Sequence, residues 1–205
     1  MGGRLALLSL LLSLTVAGCG GDDKPAPVAT PSGTQRTEVV HWSPFDGDGT
    51  LDSSFQVQEL GNGECVGGSL TIGSPGYRCK AGRWVLDPCW RNEDGVVCAG
   101  FPWDTVLSRI RVPKAKFPAH AAQVDQTQPW AVELADGHRC RILQSSHVTV
   151  KLRGRPLNVE YDCDGGLVLL RNLTRGRVWK IATAQWNHGR YAVDPSADVR
   201  RAYFG

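Results

Sequence analysis

Cysteine is the residue type with the most obvious chemistry in this sequence, at positions 19, 65, 79, 89, 98, 140 and 163. Four of the seven crowd into Gly63–Cys98, GECVGGSLTIGSPGYRCKAGRWVLDPCWRNEDGVVC. Cysteines bind zinc, exchange disulfides or close structural bridges. Zinc sites favour close ligand pairs such as CxxC, and this stretch has none. Beyond Cys19 the count is even, which in an exported chain points to three disulfides. Fifteen pairings are open to six cysteines. Local closure gives the simplest set: Cys65–Cys79, Cys89–Cys98 and Cys140–Cys163. Closing a loop of about 15 residues contributes roughly 3 kcal/mol in the chain-entropy model.

Other chemistry is sparse. The sequence contains no G-x-S-x-G elbow, no H-E-x-x-H and no GxxxxGK[ST] phosphate loop. His41, His120, His138, His147 and His188 show no helical i,i+4 metal spacing. Asp46-Gly47-Asp48-Gly49 lacks the rest of a calcium-loop pattern and reads as a tight turn. Asp87, Asp136 and Asp164 stand beside turn residues. Asp46 with Asp87, or Glu133 with Glu160, would have to meet in space to act as a glycosidase pair. No catalytic residue, metal ligand or cofactor is assigned. With six cysteines paired, no thiol of the body remains for catalysis.

Seven tryptophans are the stronger signal: 42, 84, 90, 103, 130, 179 and 186. Trp130 and Trp179 lie in strand-like runs and are expected in the core. Trp84 and Trp90 border the cysteine loops. With Arg83 and Arg91 they form the candidate ligand contact, suited to an envelope glycan or protein. Arg109, Arg111, Lys114 and Lys116 read as a solvated basic face.

These residues need elements to position them. The chain opens with Arg4, an apolar run over 5–17 and no acid before Asp22. This is the layout of a secretory signal, and the run is short for a membrane span. Residues 1–18 are expected to be the signal and 19–36 a flexible tether, since that Pro/Gly-rich stretch has no large apolar residues. Removing the signal removes Arg4 and no acid, so the net charge falls from +3 to +2. A near-balanced charge requires no nucleic acid partner.

Residues 37–205 are expected to form one mainly β domain of short antiparallel strands and hairpins stapled by disulfides. Its two subregions would be 37–113 and 129–205. A polar connection, with one helical turn between Ala119 and Val124, would join them. Strand-like runs include 55–60, 84–86, 96–98, 106–112, 130–134, 138–143, 148–152, 157–163, 167–170 and 178–184. In the 106–112 run, Ile110 and Val112 are expected to face the core and Arg109 and Arg111 solvent. Residues 194–204 read as a short C-terminal helix, capped by Asp194 with Pro195 in its first turn.

Val16-Ala17-Gly18-Cys19 resembles the lipobox of bacterial lipoproteins. The resemblance implies cleavage before Cys19, a diacylglycerol on its thiol, and a bilayer as partner on the extracytoplasmic face of the cell membrane. The cysteine frame, with Asp87-Pro88-Cys89-Trp90, Trp130-Ala131-Val132-Glu133-Leu134 and Tyr161-Asp162-Cys163-Asp164-Gly165, resembles a group of secreted or lipid-anchored actinobacterial proteins. That likeness supports the address and the local cysteine pairing, and it carries over no catalytic residue. The expected function is thus an anchored extracytoplasmic lipoprotein with a non-enzymatic interaction or envelope-associated role. The alternatives are a cell-envelope hydrolase, which requires a converging histidine and acid, and an accessory or sensor subunit of a membrane complex.

Overall fold

The computed structural model describes residues 36–205 except 74, 119–127, 144–147, 153–154 and 188–189. The signal, Cys19, the tether up to residue 35 and the helical turn expected at 119–124 lie outside the described residues. The strands are β1 (Glu38–His41), β2 (Gln56–Asn62), β3 (Glu64–Gly68), β4 (Tyr77–Ala81), β5 (Trp84–Asn92), β6 (Gly95–Cys98) and β7 (Val106–Arg111). They continue with β8 (Ala131–Leu134), β9 (Arg139–Ile142), β10 (Thr149–Leu152), β11 (Arg155–Cys163), β12 (Leu167–Leu170), β13 (Trp179–Asn187) and β14 (Arg190–Phe204).

The second half closes into a barrel. Strands β8, β9, β11, β12, β13 and β14 pair in that order, and β14 returns to pair with β8. Trp179 faces Val199 on one side of β14, and Ala131 faces Tyr203 on the other. Closure leaves these strands without a free edge. Inward residues follow the period of two. Val132, Leu134, Cys140, Tyr161, Leu169 and Ile181 fill the interior, each essentially without solvent contact. The Tyr161 hydroxyl donates to Pro129 O at 2.7 Å, which satisfies the one polar group that ring brings inside. Strand β1 extends the sheet parallel to β14, with Glu38 opposite Arg201. Buried Thr37 fixes its start, donating to Val199 O at 2.6 Å and accepting from Trp179 N at 2.7 Å.

The structure corrects the C-terminal helix: residues 194–204 are the second half of β14. The local helix signals are put to a different use. Asp194 Oδ1 accepts from Ser196 N at 3.0 Å, and Pro195 sits where the register with β13 shifts between Ile181 and Thr183. A bulge tolerates the donor that proline lacks. Beyond it, Val199, Ala202 and Tyr203 are buried, and the backbone pairs with β13, β8 and β1. A helix would satisfy only itself and strand three ladders, so tertiary pairing overrides the cap signal. The described helical residues are two three-residue 3-10 turns, Lys114–Lys116 and Asp164–Gly166. No described helix is long and apolar enough to cross a membrane.

The first half forms an open sheet in the order β2-β7-β6-β5-β4-β3, antiparallel except for β2 with β7. Cys65 faces Cys79 and Cys89 faces Cys98 across neighbouring strands, and both pairs are disulfide-bonded. The third bridge, Cys140–Cys163, ties β9 to β11 in the barrel.

Alternation gives the open sheet two buried faces. The four cysteines, Val96, Ile110 and Val112 lie on one. Trp90, Val97, Ala99 and Leu107 lie on the other, packed with Trp130, Ala131 and Tyr203 of the barrel. Strand β7 therefore differs from the single-faced reading: Leu107 is fully buried beside the arginines, while Val106 is exposed.

One buried carboxylate organises the loop between β3 and β4. Asp87 is 3% exposed. It accepts from Ser69 Oγ, from Leu70 N at 2.8 Å and from Thr71 Oγ1 at 3.1 Å. Ser69 Oγ in turn accepts from Thr71 N and Ile72 N, both at 3.0 Å. The sequence reading of Asp87 as a local turn acceptor thus understates its reach across 16–18 residues.

Candidate functional site

Three ladders of the open sheet put four side chains in one row. Trp90 on β5 faces Val97 on β6, Val97 faces Arg109 on β7, and Arg109 faces Glu59 on β2. All four share the face turned toward the barrel. Arg109 Nη1 donates to Glu59 Oε1 at 3.0 Å, which holds the guanidinium along the row. The β5–β6 turn at Glu93-Asp94 brings Asn92 alongside. Gly95 makes this turn possible, with φ at +152° and space for a Cβ blocked by Ile110 O at 2.2 Å.

The opposite wall comes from the chain after β1. Trp42 N donates to Phe204 O at 2.7 Å, fixing the point where the chain leaves the barrel. The next loop closes on itself through a Phe45–Leu51 bridge. Asp48 Oδ1 accepts from Thr50 N at 2.9 Å and Thr50 Oγ1 at 2.7 Å, which draws its carboxyl below the usual range. The DGDG segment is thus a self-closed turn. Among the described residues no group of three or more histidine, cysteine or acidic side chains could hold a metal.

Between these walls lies a cleft of about 830 Å³. Trp42, Phe45 and Trp90 supply aromatic surface, and Leu51 and Pro75 add apolar surface. Around them stand Ser43, Thr50, Asn92, Arg91, Arg109, Glu93 and Asp94. Asn92 Oδ1 and Arg109 Nε are shielded from solvent and have no hydrogen-bond partner among the described residues. An unmet buried polar group costs about 1–3 kcal/mol.

The four predicted contact residues separate. Trp90 is only 6% exposed and lies under the cleft, and Arg91 reaches its rim with its guanidinium 4.7 Å from the Phe117 ring centroid. Trp84 is 54% exposed at the β4–β5 hairpin end, with the Arg83 guanidinium 5.0 Å from its ring centroid, and neither lines the cleft. Trp42, Asn92 and Arg109 are the residues that sequence reasoning missed. The EDG turn fixes Trp90 opposite Val97, but the further step to Arg109 depends on how the 99–105 loop returns. The partner of Trp42 lies in the other sheet.

The acid pairs take other roles. Glu133 is buried among Arg200 at 2.6 Å, Arg201 at 3.6 Å and Arg139 at 4.0 Å. It lies opposite Arg139, whereas Glu160 lies beyond Tyr161, which faces Ile142, so the ladders hold the two acids apart. For Asp87, burial raises the carboxyl above its ordinary range, against its hydrogen bonds and the nearby Arg78 charge.

One histidine does meet an acid. His138 Nδ1 lies 2.8 Å from Asp164 Oδ1, which also accepts from Arg139 N at 3.2 Å. The pair fastens the β8–β9 turn to the Asp164–Gly166 turn, outside the aromatic cleft. His120, His147 and His188 lie outside the described residues. The small cavity beside the pair has no hydroxyl or thiol nucleophile among its described lining residues, because Cys163 is bridged to Cys140.

In comparisons with known proteins, no family model, no curated protein and no solved structure matches the chain.

The Asp164 hydrogen bond raises the His138 pKa above its ordinary value, and the same bond lowers that of Asp164. The histidine contribution to stability is present below the unfolded pKa and is lost as pH rises through the raised folded one. The aspartate contribution is present above its unfolded pKa and is lost as pH falls through its lowered folded value. An NMR titration should place His138 above 6.5, and Asp164→Asn should return it toward that value. An unchanged titration in the variant would remove Asp164 as the cause.

Proposed function

We propose that this chain is an extracytoplasmic lipoprotein, anchored through diacylated Cys19 to the outer face of the cell membrane. Its body captures a neutral glycan of the cell envelope and does no chemistry on it. The signal-like start, the cysteine after small residues and the three disulfides support the address. The tether lets the body reach outward from the bilayer. Residues 19–36 extend to about 60 Å at most, at roughly 3.3 Å per residue.

The observation carrying the binding role is the cleft, with its aromatic floor and polar rim. Its volume falls within the usual range for ligand sites, about 300–1,000 Å³. Sugar rings present C–H faces that pack on aromatic rings, and hydroxyls that both donate and accept. Arg109 and Asn92 supply planar polar groups for such hydroxyls, while Glu93 and Asp94 accept from them. Arg109 is already paired with Glu59 at 3.0 Å, so an anionic ligand gains little there. The His138–Asp164 pair, which a hydrolase would need inside the cleft, instead ties two turns together outside it.

Mass spectrometry of the full chain expressed in a bacterial host should find a diacylglyceryl group on Cys19 at the mature amino terminus. An unmodified cysteine there would contradict the anchor. The binding role is tested by co-sedimentation with purified insoluble cell-wall polysaccharide. Binding should fall at least about tenfold in Trp42→Ala and in Arg109→Ala, and stay within about twofold in Trp84→Ala. If the wild-type chain does not bind, or the exposed Trp84 matters as much as Trp42, the cleft is not the glycan site.

A further inference from the structure

A second concave site lies where the loop after β6 meets the outside of the barrel. Arg139 and Arg141 are two residues apart on β9, so both project from one face, while Cys140 between them points inward. The loop lays Phe101 and Trp103 against them, with ring centroids 5.3 Å apart and planes within 21°. The Arg141 guanidinium lies 4.9 Å from the Phe101 ring centroid, and that of Arg139 lies 5.4 Å from the Trp103 centroid. Tyr203 supports Trp103 edge-on at 6.0 Å.

Both guanidinium groups lie within cation–π distance of these rings, which fastens the loop to the barrel. A guanidinium also carries N–H donors that match a planar carboxylate. Among the described residues Arg141 forms no salt bridge, and a further carboxylate that feels its charge, Asp104, is held by Phe101 N at 2.9 Å. Arg139 lies 4.0 Å from Glu133, whose close partner is Arg200 at 2.6 Å. The neighbouring strand on the same sheet surface is β11. Asp162 is exposed, lies opposite Arg141 in register and forms no salt bridge among the described residues. Asp164 is occupied by His138 and by Arg139 N. Together these walls enclose about 320 Å³, at the small end of ligand sites.

We propose that this ledge binds a small zwitterion, an amino acid or a dipeptide. Its carboxylate lies on the N–H edges of Arg139 and Arg141, and its ammonium group on Asp162. A free inorganic anion meets the arginines but also meets Asp162, which repels it. A sugar finds no open ring, because Phe101 has Trp103 on one side and Arg141 against it as well. The site is independent of the aromatic cleft, and neither reading depends on the other.

The test is a two-dimensional NMR titration of the full chain with glycylglycine, acetate and inorganic phosphate as separate probes. Glycylglycine should shift the Trp103 indole signal and saturate, while acetate and phosphate bind at least about tenfold more weakly. Asp162→Asn, a change at an exposed position, should bring glycylglycine down to the level of acetate. Arg141→Ala should abolish the response to all three. Phosphate binding as tightly as glycylglycine, insensitivity of glycylglycine to Asp162→Asn, or no response at Trp103 would each overturn the proposal.

Discussion

The contact on which the rest of the structure depends is the meeting of Trp42, Trp90 and Trp130. Their ring centroids lie 5.2 Å apart for Trp42–Trp90, 5.6 Å for Trp42–Trp130 and 6.4 Å for Trp90–Trp130. Each ring comes from a different part of the chain: the exit from β1, strand β5 of the open sheet, and the start of β8 in the barrel. All three pairs are tilted or edge-on, the arrangement ring quadrupoles favour, and each contributes about 0.5–1.5 kcal/mol beyond area burial. The cluster joins sheet and barrel through a shared core. Its outer surface is also the floor of the cleft, so the element that holds the two sheets together also shapes the candidate site.

The remaining constraints keep that cluster in place. Strand β14 is paired on both sides, so the barrel cannot open an edge without losing the seat of Trp130, whose backbone amide donates to Tyr203 O at 2.9 Å. Two of the three disulfides lie on the far face of the open sheet, where they tie β3 to β4 and β5 to β6. Because Cys89 and Trp90 are neighbours on a strand, anchoring the first on one face fixes the second on the other. A cysteine frame that looks purely structural therefore also aims an aromatic ring at the site.

Much of the strand pattern was legible because hairpins carry their own turn residues. Asp136-Gly137 and Glu93-Asp94-Gly95 mark the β8–β9 and β5–β6 turns, and short loops made local disulfide closure the natural scheme. The C-terminal helix failed for a physical reason. Asp194 and Pro195 are genuine cap signals, but the same residues serve a bulge equally well, and only the strands waiting on both sides decide between them. Strand β7 was half legible. Its alternation showed Ile110 and Val112 as core, but a second buried face cannot be seen until the barrel covers Leu107. The cleft was the least legible part. Trp90 and Arg91 were marked by their place beside a cysteine, whereas Trp42 and Arg109 join them only through non-local pairing. Trp84 carried the same local mark as Trp90 and ended at an exposed hairpin tip.

The central claim is that the aromatic cleft, rather than the exposed hairpin tips, is where this protein meets its ligand. The most direct measurement follows the indole N–H signals of the seven tryptophans by NMR while a soluble oligosaccharide released from the cell-wall polysaccharide is added to the full chain. The account predicts saturable shifts at Trp42 and Trp90, with Trp84 and Trp186 unmoved. Shifts confined to Trp84 or Trp186, with Trp42 and Trp90 unchanged, would contradict it.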